Sequence, residues 1–300
     1  MNPKLLAHIA LFLVALFYGG NYSVAKVVMN GGYVGANGFI VLRLAFGVLV
    51  FWSLAGTLVR EKIERRDYGR IFACGLLGAT LNLLFFFNGL ERTTPINSAL
   101  LMTTVPILVL ICSSVVLKER ITTKKMLGIG IGMAGAVLLI LYGKKFAYGS
   151  TTLLGDLMVF ANAVSYGFYL VLVKRLMERY HPLTVVKWIF LVGLIFCLPV
   201  GWADLREVAW QTLPARVWWS IGYVLLLATV ATYLLNLFAL RTVDASVVSI
   251  YIYLQPLIAA LVSISLGQET LDWTKATAAG CIFLGVYLVS ARRAPAAARP

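Results

Sequence analysis

The sequence predicts an all-α integral membrane protein, with ten transmembrane helices forming two inverted-topology five-helix repeats around a central cavity. Three observations carry this expectation. The 300 residues are 61% hydrophobic and 13% charged, with a mean hydropathy of +0.89. Soluble domains run at roughly 45–50% apolar and roughly 25% charged, so one buried core cannot absorb the excess and lipid must solvate much of the surface. The apolar residues fall into ten separate runs. Finally, the second half of the chain repeats the first at a nearly constant offset.

A helix needs roughly 20 apolar residues to cross about 30 Å of hydrocarbon. Runs of that kind lie at 5–28, 36–59, 70–90, 96–117, 126–142, 153–173, 183–203, 217–240, 245–266 and 273–291. The first has Lys4 before it and could pass for a signal peptide. It is long, lacks a small-x-small cleavage site, and reads as the first helix. The loops are short, and only the tail, 294–300, has the composition of a disordered segment. With the N-terminus inside, the cytoplasmic segments hold seventeen Lys and Arg and the outer segments six. That bias predicts both termini on the cytoplasmic side, as expected for a multi-pass protein of a bacterial inner membrane. The same loop placement explains the net charge of +14 without nucleic acid. Cys74, Cys112, Cys197 and Cys281 all fall inside apolar runs, a pattern that suggests neither a disulfide framework nor a metal site.

The repeat is visible residue by residue. Pro106, Glu119, Gly130 and Gly135 recur 150 positions later as Pro256, Glu269, Gly280 and Gly285. Tyr18-Gly19 and Lys26 recur 148 positions later as Tyr166-Gly167 and Lys174, and Arg43 is echoed by Lys187. The units are 1–145 and 150–293. Because each holds five helices, the second must enter the membrane from the opposite side, an arrangement common among secondary transporters. On these residues, together with Tyr18-Gly19-Gly20-Asn21, Lys118-Glu119-Arg120, Gly128 to Gly135 and Gly267-Gln268-Glu269, the chain resembles the drug/metabolite transporter superfamily, specifically its EamA-type ten-helix members with two tandem repeats. The resemblance covers nearly the whole chain. It implies a carrier of a small-molecule solute, without a cofactor. It does not name the solute. The second half departs from strict symmetry, with Phe168 and Tyr169 where the first has Gly20 and Asn21.

Candidate functional residues follow from what is costly in lipid. Pro106 and Pro256 each remove a backbone hydrogen bond, at matched places in helices four and nine. Interrupted helices at matched positions point to a midplane site, although simple curvature for packing would leave the same mark. Tyr and Asn recur at steps of three and four, which places each set on one helix face. The sets are Tyr18, Asn21 and Tyr22; Asn82; Asn162, Tyr166 and Tyr169; Tyr233 and Asn236, with Thr229; and Tyr251, Tyr253 and Gln255. Such faces should turn away from lipid, either to line a cavity or to hold helices together. As a set they suggest an aromatic, amide-bearing cavity for an amino acid or similar amphipathic solute. Arg43, Lys26, Lys174 and Lys187 are the intramembrane cations. Lys26 and Lys174 are expected to snorkel to the interface or to serve as gates. Arg43 lies deeper, with Glu91 as a candidate partner, and could attract a carboxylate or phosphate. The absence of a mid-helix Asp or Glu leans towards facilitated diffusion or exchange. Glu119 and Glu269 read as helix caps. Gly128 and Gly132 form a GxxxG step suited to close packing within a monomer or across a homodimer.

Rival functions are weaker. A membrane enzyme would need a nucleophile–base pair, a carboxylate pair or a metal cluster at depth. A scaffold or receptor would use long loops. A channel would show a ring of charges or a filter-like run. The sequence displays none of these.

Overall fold

The computed structural model describes residues 3–117, 123–141, 151–240, 251–252, 254–268 and 270–290, and every regular element among them is helical. Among the described residues, seven helices are long and apolar enough to cross a membrane. The first half holds α1 (Pro3–Asn30), α2 (Ala36–Leu58), α3 (Tyr68–Gly75), α4 (Leu81–Arg92), α5 (Pro95–Met102), α6 (Val105–Leu117) and α7 (Thr123–Leu141). The second holds α8 (Thr151–Met177), α9 (Pro182–Glu207), α10 (Ala215–Gly222), α11 (Thr232–Leu240), α12 (Gln255–Ser265) and α13 (Trp273–Ser290). The caps Glu119 and Glu269, together with Tyr253, lie outside the described residues.

Two departures from the expected even helices shape the interior. The fourth run, 96–117, is broken. Thr103 and Thr104 form a turn, their hydroxyls donate to Leu100 O at 2.6 Å and Leu101 O at 2.7 Å, and Pro106 stands second in α6. Pro256 likewise stands second in α12. Both prolines thus occupy the first turn of a helix, where the missing N–H has no intrahelical acceptor to lose. The expected mid-helix kink is therefore a break and a restart. The third and eighth runs are continuous but wider than predicted. Leu76–Thr80, between α3 and α4, and Tyr223–Ala231, between α10 and α11, are π-helical. A threonine closes each wide turn five residues back, Thr80 onto Gly75 O at 3.3 Å and Thr229 onto Val224 O at 2.8 Å.

The second helix of each half packs on its counterpart, and the two run antiparallel. Gly38 sits beside Asp204 and Leu205, Gly193 beside Leu44, and Trp52 beside Trp188 with ring centroids 5.2 Å apart. The opening N–H groups of a helix lack intrahelical acceptors, and here the opposing helix or its flanking turn supplies one. Asp204 Oδ2 accepts from Gly38 N at 3.2 Å, while Glu61 Oε2 accepts from His181 N, at the cap of α9, at 2.9 Å.

The last described helices of the two halves, α7 and α13, also cross antiparallel through glycines. A Cβ at Gly285 would lie 2.5 Å from Gly132 Cα and 2.6 Å from Gly128 O. The GxxxG face is therefore consumed inside the chain. Overpacked interiors lose about 1–3 kcal/mol, so Gly285→Ala should lower the unfolding midpoint in detergent. Gly280→Ala on the same helix meets nothing within 4 Å. It should leave the midpoint level or raise it, because Ala is the better helix former by about 1 kcal/mol. Equal shifts in the two variants would refute this packing account.

Aromatic residues mark the bundle ends. All seven tryptophans stand in the outer turns of helices or in the connections between them. This is where an indole can keep its ring in hydrocarbon and its N–H near water.

Candidate functional site

Arg43 has two of the predicted tyrosines, Tyr18 and Tyr233, near it. The residue is 6% exposed and sits on the third turn of α2. Nη2 donates to the Ala228 carbonyl at 3.0 Å, and Cζ stands 5.6 Å from the centroid of the Phe87 ring. Ala228 belongs to the wide π-helical stretch and also accepts from the Thr232 hydroxyl at 3.0 Å. The loosened turn is what lets one carbonyl serve two donors from outside the helical ladder. Nε of Arg43 has no hydrogen-bond partner, and Arg43 makes no ion pair among the described residues. A buried cation normally demands a counter-charge or several acceptors. Arg43 has one carbonyl and one aromatic face.

Tyrosines from three other helices lie around it. Tyr18 on α1 and Tyr233 on α11 lie within electrostatic reach of Arg43, and Tyr166 on α8 within reach of both tyrosines. Tyr166 and Tyr169 stack with centroids 5.6 Å apart, and the Tyr169 ring lies on Gly78 with no room for a Cβ between them. Tyr233 meets Phe51 and Phe190 edge-on at 5.6 and 5.2 Å. Two amides nearby in sequence carry unpartnered oxygens. Asn162 Nδ2 donates to Asn82 O at 2.7 Å while its Oδ1 has no partner, and Asn21 Oδ1 has none either. Tyr22 donates to Gln255 Oε1 at 3.5 Å and packs on Phe86. Asn236 is half-buried on α11, one turn beyond Tyr233.

Other expectations need correction. Tyr251 is not with the central tyrosines. Its hydroxyl meets His8 Nδ1 at 2.8 Å at the α1 N-terminal end, because helical spacing fixes a face but not a depth. Glu91 does not reach Arg43. It pairs with its neighbour Arg92 at 3.2 Å at the end of α4. The ammonium of Lys26 donates to Leu90 O at 3.2 Å and to Thr93 O, at the turn that joins two helices of spanning length. Lys187 is no copy of Arg43. It lies over the Trp52 ring at 5.0 Å. Position 174 lies in α8, but its side chain is outside the described residues.

One cluster escaped the sequence reading. Asp156, fully buried on α8, accepts from the Thr93 hydroxyl and from Asn97 Nδ2 at 3.5 Å. Thr93 in turn presents its carbonyl to Lys26. The repeat offset could have flagged it, since Asp156 follows His8 by 148 positions.

Apolar helices long enough to cross a bilayer, with polar side chains turned between them, define a multi-pass membrane protein. A family model described as the EamA-like transporter family matches residues 5–141 and again 153–291. The chain belongs to this family: it is a transporter and not an enzyme. It is 25% identical over 286 residues to an uncharacterised transporter of Bacillus subtilis (strain 168), YyaM, covering 94% of this chain and 93% of that one. An uncharacterised transporter of Archaeoglobus fulgidus is 27% identical over 300 residues, covering 98% and 99%. A probable terminal-alkyne amino-acid exporter of Streptantibioticus cattleyicolor is 24% identical over 254 residues, covering 85% and 83%. A crystal structure, titled only as that of a protein, superposes with a TM-score of 0.62 at 19% identity, over 94% of this chain and 95% of the other. That likeness speaks to fold alone.

Proposed function

We propose that the protein carries a small carboxylate-bearing amphipathic metabolite, most simply an amino acid, by alternating access between two inverted five-helix repeats. The single observation behind the solute class is Arg43. It is a buried guanidinium with one carbonyl acceptor, an unpartnered Nε and no ion pair among the described residues. A carboxylate is the group that fits a guanidinium fork. The surrounding rings suit an apolar or aromatic remainder, and Asn21 and Asn162 hold unused carbonyl oxygens of the kind an ammonium group seeks. One relative's printed name, an amino-acid exporter, agrees with this class.

The inverted arrangement is supported by the antiparallel pairing of corresponding helices, α2 on α9 and α7 on α13. It is also supported by matched contacts, because Gly19 packs on Ile258 as Gly167 packs on Leu108. In this reading the site residues are Tyr18, Asn21, Arg43, Asn82, Asn162, Tyr166, Tyr169, Tyr233 and Asn236. Tyr22 and Gln255 lie beside them, and the restarts at Pro106 and Pro256 act as hinges. The ten-helix count, cytoplasmic termini and a bacterial inner membrane belong to the same proposal.

The test is uptake of labelled phenylalanine and leucine into proteoliposomes, with unlabelled competitors. Amino acids should compete, whereas phenethylamine and isoamylamine, which lack the carboxylate, should compete at least ten-fold more weakly. Equal competition by the amines, or no carboxylate uptake at all, would remove Arg43 from the recognition of solute.

A further inference from the structure

A second basic site lies away from the central one. At the bundle end where Trp52 meets Trp188, a groove of about 390 Å³ opens between the turn Arg65–Asp67, the start of α3 and the end of α8. Arg66, Asp67, Arg70, Arg175, Glu178 and Arg179 line it. Four guanidiniums thus face two carboxylates, one of which is already committed. Asp67 is buried and accepts from Arg179 at 2.9 Å, from the Tyr180 hydroxyl at 2.9 Å and from Arg70 at 3.4 Å. Arg66 reaches out to exposed Glu64 at 2.6 Å, and Arg175 makes no ion pair among the described residues. The Asp67 contacts fix two guanidiniums in place, and the groove keeps a positive excess.

Its surroundings locate it at a membrane interface. Tyr68, 43% exposed, stands edge-on to Trp188 at 5.9 Å, and Trp188 stands edge-on to Trp52. Such aromatic groups sit at headgroup depth. One turn further along α3, exposed Phe72 packs on exposed Phe196 with centroids 5.7 Å apart, which continues an apolar surface into the hydrocarbon. A cationic groove above such a surface matches one kind of molecule: a phosphate ester with a net negative charge at headgroup level and acyl chains below it. Guanidinium forks suit phosphate oxygens, and basic pockets between helices on the cytoplasmic side are known to hold anionic headgroups.

We propose that this groove binds the phosphodiester of an anionic phospholipid of the phosphatidylglycerol class. The inference goes beyond the transport reading and does not depend on which solute is carried. It is tested on the full chain in mixed micelles of dioleoyl phosphatidylglycerol and dioleoyl phosphatidylcholine, with retained lipid counted by native mass spectrometry. Wild type should retain phosphatidylglycerol in preference to phosphatidylcholine. Arg175→Gln should lower that retention about five-fold, and the double variant with Arg66→Gln about twenty-five-fold, since each basic group near an anionic surface is worth about 1 kcal/mol. Glu178→Gln, which removes a carboxylate, should raise it. Unfolding midpoints in phosphatidylcholine alone should match wild type for all three variants, which separates headgroup binding from misfolding. Equal retention of the two lipids by wild type, or undiminished phosphatidylglycerol on the double variant, would overturn the proposal. Displacement of the lipid by millimolar glycerol 3-phosphate or inorganic phosphate would assign the groove to a soluble anion and overturn the lipid assignment.

Discussion

Replacing Arg43 with Gln should abolish uptake of carboxylate solutes while leaving the protein folded. Truncating one partner of a desolvated, hydrogen-bonded charge pair costs about 2–5 kcal/mol of binding, which is roughly thirty-fold to several thousand-fold in affinity. Arg43 itself contributes little to the empty fold. Its Nη2 holds one carbonyl, its Nε holds nothing, and its charge is 94% removed from solvent or lipid contact. Taking an uncompensated cation out of a low-dielectric interior is neutral or stabilising. The two readouts should therefore move in different directions, with uptake falling at least about thirty-fold and the unfolding midpoint holding or rising. Arg43→Lys keeps the charge but loses the planar fork, so it should fall between wild type and Arg43→Gln. Phe87→Ala, which removes the face under the guanidinium, should cost less than Arg43→Gln, since a desolvated cation–π contact is worth about 2 kcal/mol. Uptake by Arg43→Gln at the wild-type rate would end the carboxylate reading, and a collapsed midpoint would show Arg43 to be structural.

Much of this architecture could be read in the sequence because lipid constrains a chain severely. With no water in the hydrocarbon, backbone groups must bond within helices, so an apolar run of spanning length means a helix. That is why α1, α2, α8 and α9 appear where the runs at 5–28, 36–59, 153–173 and 183–203 stand. Proline is equally explicit, and the breaks before Pro106 and Pro256 fall where the missing N–H requires.

What stayed hidden has a physical explanation too. No residue type announces a π-turn. Thr80 and Thr229 close the wide turns, but a threonine in an apolar helix usually bonds three or four residues back, as Thr232 does. The Ala228 carbonyl that holds Arg43 therefore carries no sequence signal at all. Periodicity put Tyr18, Tyr166, Tyr169 and Tyr233 on inward faces correctly, yet it also swept in Tyr251, which meets His8 at the bundle's end. Depth along a helix depends on how neighbours are staggered, and that is tertiary information. The partners of Lys26 and Asp156 stayed hidden for a related reason. A charge a few residues from a helix end looks interfacial when each helix is read alone, and the α4–α5 turn folded against both is not visible in either.

Asp156 accordingly yields the largest expected effect on stability. It is fully buried, and its two oxygens receive the Thr93 hydroxyl and the Asn97 amide. Through the Thr93 carbonyl the same unit receives the Lys26 ammonium, so one carboxylate ties α8 to α1 and to the α4–α5 turn. Asp156→Ala would leave a buried hydroxyl and amide without their acceptor and a cation without the nearby negative charge. Breaking a buried charged unit from one side costs about 3–5 kcal/mol, much of the stability of an ordinary domain. Asp156→Asn keeps an acceptor for Thr93 and should cost less, about 1–3 kcal/mol. If the two charges stabilise each other, Lys26→Met combined with Asp156→Asn should recover part of the loss, with a coupling energy of about 1–3 kcal/mol in the double-mutant cycle. Unfolding midpoints of the four proteins in one detergent measure this directly. Additive losses in the cycle would mean that Lys26 and Asp156 act independently, each held by its own backbone and side-chain partners. A positive coupling would identify them as one electrostatic unit, fastening the end of α1 against the start of α8.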